Sequence, residues 1–363
     1  MRLLSLVAGR KWTGIAAVVF DQTAALVDAG VEAQFGFVGD SPLAERLSLV
    51  GWARPLLRPL RGPLDYWREV RRVREALSRE TFDVVHAHAT HDHHVAAWAL
   101  SGRWPRGRPR LVRTIHNVRH ARKDLATRRL FSRTDAFAFA NAEIAQAFGS
   151  AGPVHSPVVD AARFRPAESA ARAREAAGLP RDGGGLLVGT VGKMAEGRGH
   201  REALAAAATL ASVTLVHVGH GELLRELQEL ARASGSGARN IWTGYEEERL
   251  PRLYQAWDAF LFPASGSDQG QRAILEAMAS GLPVVALKVP GVRDLMTDGE
   301  EGFVVETPSE LGPALGRLAR DPALRREMGA RARRRALEFT AQKFAVKARE
   351  FYEATMRAVA KRP

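Results

Sequence analysis

Short apolar runs alternate with amphipathic stretches from one end of the chain to the other. In the first part the runs at 3–8, 33–38, 84–86, 111–115 and 136–140 predict strands. Stretches with apolar residues at helical spacing lie between them, at 15–29, 64–77, 94–100 and 123–131. Strands that alternate with helices imply right-handed βαβ units and a mostly parallel sheet. The pattern breaks near Val158, where 160–166 has no strand partner. A helix at 167–177 and the glycine-rich 178–185 follow, and a new series of strands opens at 186–191. It continues at 214–218, 241–242, 259–262, 284–286 and 303–305. The tail reads as two helices, an arginine-rich one at 322–338 and an amphipathic one at 341–359.

The expectation is an α/β chain of two Rossmann-like domains, 1–163 and 164–344, with the chain crossing between them near 160–170. The last helix, 345–363, is free to pack back on the first domain. A length of 363 residues is ample for two separate cores. The first apolar run is too short for a signal peptide or a membrane span and reads as a buried strand.

Composition changes this picture in two places. There is no cysteine, which excludes disulfides and thiolate metal sites and accords with a cytoplasmic location. The formal net charge is +13, which draws the chain toward anionic partners: phosphorylated metabolites, acidic lipid or nucleic acid. A composition rich in arginine, alanine and glycine accounts for part of that excess.

The densest chemistry lies in the second series. Val191 ends a strand, glycines follow at 192, 197 and 199, and a helix starts at His200. Open α/β sheets bind ligands at such strand-to-helix edges, where free helix N–H groups meet anions. Lys193 and Arg198 add two cations, a combination suited to a diphosphate. Farther on, Phe262 to Ala286 reads strand, polar glycine loop, helix, strand. Asp268 lies in the loop and Glu276 in the helix, with seven residues between them. Six helical steps from Gly270 to Glu276 span roughly 9 Å. That spacing suits two carboxylates at the two ends of a nucleoside diphosphate sugar, with the N–H groups of Gly270 and Gln271 toward the phosphates. Asp268 as a simple helix cap is the structural alternative. Glu276 as a partly exposed helical glutamate is the alternative there, but it stands among Ile274, Leu275, Ala277 and Met278, where a glutamate needs a partner or a ligand.

This stretch resembles the acidic signature of the retaining GT-B glycosyltransferases of family 4 (glycosyl transferases group 1). Two acidic residues with seven residues between them precede Ala277-Met278-Ala279-Ser280-Gly281-Leu282-Pro283-Val284-Val285. The loop with Lys193, Arg198 and Gly199 fits the same family, as do Val218 to Leu223, Trp242 to Tyr245 and Val159 to Pro166. The departures are Asp268 for the usual glutamate, Gln269 and Gln271 for glycines, and Lys193 for arginine; they bear on the donor sugar. This variant is similar to a branch associated with lipopolysaccharide and other cell-envelope glycans.

The resemblance implies a GT-B fold whose two parallel sheets face a central cleft. It implies transfer, with retention, of a sugar from a nucleoside diphosphate sugar to an acceptor hydroxyl on a glycan or lipid-linked carrier. It gives Lys193, Arg198, Asp268 and His116 catalytic roles. Gly14, Gly192, Gly199, Gly244, Gly270, Gln271 and Glu276 fall to the donor, and Lys11 and Asp92 to the acceptor side. No cofactor and no metal are implied. A nucleotide-sugar epimerase or phosphorylase on the same fold is the enzymatic alternative. A nucleic-acid-binding protein would suit the charge, but no such motif is present.

In the first half, Gly9 to Gly14 reads either as a phosphate loop or as an ordinary βα turn. His86 to His94 holds five histidines around Asp92, yet no cysteine or acidic pair completes a metal set. The stretch 54–77 is basic and interleaved with Leu56, Tyr66 and Trp67. It reads either as a surface for an anionic membrane leaflet, placing the protein peripherally on its cytoplasmic face, or as a solvated helix with a buried side.

Overall fold

The computed structural model describes the chain apart from residues 60, 61, 106, 118–124, 151, 181–184, 266–270 and 360–363. It forms two compact units, Met1–Val158 with Ala341–Pro363, and Val159–Thr340.

The first unit is built on β1 (Arg2–Leu6), β2 (Glu32–Val38), β3 (Ala53–Leu57), β4 (Val84–Ala87), β5 (Arg110–Ile115) and β6 (Ala136–Phe139). All pair in parallel, in the order β3-β2-β1-β4-β5-β6. Leu3, Leu4 and Leu6 of β1 are fully buried, so side chains on both faces of this central strand are removed from water. Each such leucine stabilises the fold by roughly 1.5–3 kcal/mol. The helix Gly14–Asp28 starts at Thr13, whose Oγ1 accepts the Ala16 N–H at 3.3 Å.

Strand β3 was not anticipated, and it contains Pro55. A proline is tolerated there because β3 is an edge strand. The basic stretch 54–77 is therefore most of a strand followed by the helix Pro63–Arg79.

The second unit carries β7 (Leu186–Val191), β8 (Val213–Val218), β9 (Asn240–Gly244), β10 (Ala259–Phe262), β11 (Val284–Leu287) and β12 (Gly302–Val305). These too are parallel, in the order β12-β11-β10-β7-β8-β9. Counted from its own first strand, this unit repeats the strand order of the first. In both, the order reverses between the first and fourth strands, which is where doubly wound sheets open a crevice at their carboxyl edge.

The units divide at Val158, a few residues before the expected 163. Val159 and Phe164 are buried in the core of the second unit, and Arg333 donates to the carbonyls of Ala161 and Phe164. The second crossing falls at Thr340, and the helix Ala341–Val359 belongs to the first unit. Its Ala345, Ala348 and Tyr352 pack against Leu3, Leu26 and Ala33.

Candidate active site

The reversal point of the second unit lies between β7 and β10, and both sequence signatures emerge there. After β7 the chain runs through Gly192 to Gly199 and enters the helix His200–Ala208. Gly199 has φ +76°, and a Cβ on it would lie 2.0 Å from the Pro263 carbonyl oxygen, beside the end of β10. Only glycine lets these two loops touch. The turn after β8 is equally close: a Cβ on Gly219 would lie 1.9 Å from the Gly192 carbonyl oxygen. Backbone bonds link the same loops, Met194 N–H to His220 O at 2.9 Å and Leu223 N–H to Met194 O at 3.0 Å. Gly244 ends β9 with φ +69° and accepts the Gly219 N–H at 2.9 Å. Glycines 192, 199 and 244 thus belong to one layer of backbone at the carboxyl edge.

Lys193 is exposed on this layer and pairs with Glu222 at 2.9 Å, both side chains being more than half in solvent. An exposed pair of this kind is worth about 0–1 kcal/mol, so a diphosphate can displace Glu222. Arg198 is partly buried in the same loop. Beneath it the His200 ring is buried against the Gly192–Lys193 backbone, and burial lowers its pKa.

After β10, Asp268 and Gly270, with Gln269, lie outside the described residues. The helix Gln271–Ala279 begins immediately afterwards. Gln271 is buried, and its Nε2 donates to the Pro290 carbonyl at 2.9 Å, so it braces the helix start. Glu276 is buried, as its apolar neighbours required, and it has protein partners. Arg272 Nε donates to Oε1 at 3.0 Å, and the buried Tyr254 hydroxyl donates to Oε2 at 3.1 Å. Burial raises the Glu276 pKa, against the opposing pull of Arg272 and Tyr254. Each carboxylate oxygen has a second lone pair free to accept a hydroxyl. Arg272 was not anticipated as this partner, although its place four residues back on the same helix face made it legible. Tyr254 was not legible, since nothing local links it to Glu276.

The reversal point of the first unit lies between β1 and β4. Lys11 is exposed in the loop after β1, and Gly14 opens the helix that Thr13 caps. Asp92 departs from expectation. It is completely buried, with Oδ2 accepting the His88 N–H at 2.9 Å and Oδ1 accepting the Ala89 N–H at 2.7 Å. It therefore helps cap the helix Thr90–Ala99, which starts four residues earlier than expected. Burial pushes its pKa up to about 6, moderated by Arg113 and the backbone donors. Arg113, itself buried, is lowered to about 10 by burial, with Asp92 opposing.

His116 follows β5 and is mostly buried. Its Nε2 stands 3.4 Å from His88 Nδ1. His86 sits behind, between the Tyr352 hydroxyl at 2.8 Å and Thr114 Oγ1 at 2.7 Å. The histidines thus bond to one another, to hydroxyls and to Glu69, which His91 Nε2 meets at 2.8 Å. Among the described residues no group of three or more histidines or carboxylates is arranged to hold a metal ion. None of their helices is long and apolar enough to cross a membrane. The helix Pro63–Arg79 nonetheless exposes Leu64 (73%) and Trp67 (54%) among its arginines.

Two Rossmann-like units of identical strand order, with glycine loops at their reversal points, define a GT-B architecture. A solved structure of Anabaena HepE in complex with UDP matches 98% of this chain and 100% of its own, with a TM-score of 0.82 at 19% identity. The family follows from the sequence. A model described as "Glycosyltransferase Family 4" matches residues 12–158, and one described as "Glycosyl transferases group 1" matches 185–321. The chain belongs to this glycosyltransferase family. Among curated relatives, the D-inositol 3-phosphate glycosyltransferase of Acidothermus cellulolyticus is 32% identical over 68% of this chain and 61% of its own length. The lipopolysaccharide core biosynthesis glycosyltransferase LpsE of Rhizobium meliloti is 31% identical over 40% of this chain and 43% of its own. The chain thus spans about half the length of these relatives.

Proposed function

We propose that the protein transfers a sugar from a nucleoside diphosphate sugar to an acceptor hydroxyl, with retention, in the assembly of a cell-envelope glycan. The observation that carries this reading is the reversal point of the second unit. A glycine layer bearing Lys193 and Arg198 meets there the end of β10, the strand that precedes the helix holding buried Glu276. The names of the relatives, one of which builds lipopolysaccharide core, favour an envelope acceptor.

In this reading the diphosphate lies on the backbone of Gly192, Gly199 and Gly270, opposite the first N–H groups of the helix at Gln271. Lys193 leaves Glu222 for the phosphates, and with Arg198 it stabilises the charge that grows on the leaving diphosphate. Glu276 accepts ribose hydroxyls with its remaining lone pairs. Asp268 binds hydroxyls of the sugar, and Gly244 lies beside the base. His116 stands near the reacting carbon, and Lys11 serves the acceptor. A donor phosphate oxygen takes the acceptor proton, and no metal is needed. The helix Pro63–Arg79 rests on the anionic inner leaflet, with Leu64 and Trp67 dipping into the lipid and its arginines on the headgroups.

The donor is found by thermal-shift screening against UDP-, GDP-, ADP- and CMP-linked sugars, since a ligand of the native state raises its stability by mass action. One nucleotide series should stand out, and Glu276→Gln should lose most of that shift. No shift with any of them would overturn the reading. Flotation with anionic and neutral vesicles tests the membrane contact, and absence from both ends that part alone.

A further inference from the structure

Four aromatic rings form a continuous buried file through the first unit, from its last helix to His116. Tyr352 lies on the helix Ala341–Val359, and its hydroxyl meets His86 Nδ1 at 2.8 Å. The other His86 nitrogen is taken by Thr114 at 2.7 Å. The His86 ring lies against the His88 ring with centroids 4.1 Å apart and planes at 35°. His88 Nδ1 faces His116 Nε2 at 3.4 Å, and the His88 backbone N–H is tied to Asp92. Tyr352, His86 and His88 are at most 2% exposed, whereas His116 is 8% exposed. Only the last ring of the file reaches the surface appreciably.

Burial, with the neighbouring histidines and Arg113 adding to it, drives the pKa of His86 and His88 well down, so both rings are neutral. A neutral imidazole has one donor and one acceptor nitrogen. His86 therefore needs one hydroxyl to donate and one to accept, and Tyr352 and Thr114 meet that need while locking the ring plane. Among the described residues the His88 side chain has no second lock, its Nε2 being buried with no partner there. What holds the His88 ring is the stacked His86 face behind it and the His116 nitrogen in front.

We propose that Tyr352 is a positioning residue for His116, acting through His86 and His88. The inference rests on the functional reading of His116 given above. Removing the hydroxyl leaves one His86 nitrogen buried and unpartnered, which frees that ring to turn. His88 then loses its backing, and with it the aim of Nδ1 at His116. A residue on the last helix of the chain thereby sets the orientation and tautomer of a ring at the carboxyl edge of the sheet.

The test is Tyr352→Phe, which deletes one oxygen, in full-length protein labelled with 15N-histidine. The ring-nitrogen resonances of His86 and His116 should both move, while those of His200 and His217 in the other unit stay in place. Movement of His86 alone overturns the proposal. In turnover assays with the sugar nucleotide identified by the screen, Tyr352→Phe should lower kcat about tenfold with little change in KM. His88→Asn, which keeps a polar atom near the Nδ1 position, should retain more activity than His88→Leu; equal loss in both counts against the file. Combining Tyr352→Phe with His116→Ala should cost no more than His116→Ala alone, and an additive loss refutes the coupling. Wild-type turnover in His116→Ala removes the functional reading of His116 and this proposal with it. A normal Tyr352→Phe beside an impaired His116→Ala removes this proposal only.

Discussion

Acid should destabilise this protein through its buried histidines, and His155 allows a clean measurement. Its ring is 5% exposed and stands edge-on to Phe344 at 5.4 Å and Phe351 at 5.6 Å, and among the described residues neither ring nitrogen has a hydrogen-bond partner. Burial alone lowers its pKa to about 4. An unfolded histidine titrates near 6.5, so on acidification the unfolded chain takes up the proton first. The stabilising contribution is fully present above about pH 6.5 and is lost progressively as pH falls toward 4. At pH 5 the unfolded group is almost wholly charged and the native one almost wholly neutral, a difference of about 2 kcal/mol. His93, lowered to about 2, adds a similar loss in the same unit, and His86 and His88 act in the same direction. Asp92 opposes them: its pKa of about 6 means that the native state gains the proton first, returning about 1 kcal/mol at pH 5. His155→Phe removes one contributor while filling the same aromatic box. Gln22 still holds the backbone there, its Nε2 donating to the carbonyls of residues 155 and 156 at 3.2 and 2.9 Å. Urea melts at pH 7.5 and pH 5, followed by tryptophan fluorescence, report chiefly on this unit, because Trp12, Trp52, Trp67, Trp98 and Trp104 are five of the seven tryptophans. The stability gap between the two pH values should shrink by about 2 kcal/mol in the variant. An unchanged gap would show that His155 is not held neutral in the native state.

Gly199→Ala should disrupt the second unit and its nucleotide binding together, because the new Cβ would lie 2.0 Å from the Pro263 carbonyl oxygen at a φ of +76°. A normal melt with normal nucleoside diphosphate affinity in a titration would refute the close-approach argument. Glu276→Gln should leave the ligand-free melting temperature unchanged or raise it slightly at pH 7. The raised pKa means that ionising the native carboxyl is costly there, and the amide avoids that cost. The same variant should bind nucleoside diphosphate at least tenfold more weakly by calorimetry, losing a charged acceptor for two hydroxyls. Asp92→Asn should cost about 2 kcal/mol in a urea melt, because its amide cannot accept the buried His88 N–H that Oδ2 now takes. A melt like the parent's would mean that the cap has little weight.

Much of this protein was determined by local sequence. The alternation of apolar runs and amphipathic stretches yielded eleven of the twelve strands among the described residues, because a strand buried on both faces of a parallel sheet must be almost wholly apolar. β3, with Pro55 in it, was missed, and the edge-strand rule that admits a proline cannot be applied until the strand order is known. The loop at 192–199 stood out because glycines, a lysine and an arginine fall together between a strand and a helix, although glycine loops at such places are common. The burial of Glu276 was legible from its apolar neighbours; Arg272 was missed, although helical periodicity places it on the same face.

Tertiary structure decided the rest, wherever a property depends on residues distant in the chain. The strand order that places the loops after β7 and β10 side by side is a matter of topology, and no local pattern encodes it. Nor could spacing distinguish whether Asp92 faces solvent or turns inward to bond the N–H groups of His88 and Ala89. The file from Tyr352 to His116 joins a helix at the end of the chain to β4 and β5. Sequence sets which side chains are able to share a proton. Only the folded packing, by excluding water and fixing neighbours within about 3 Å, determines which of them do.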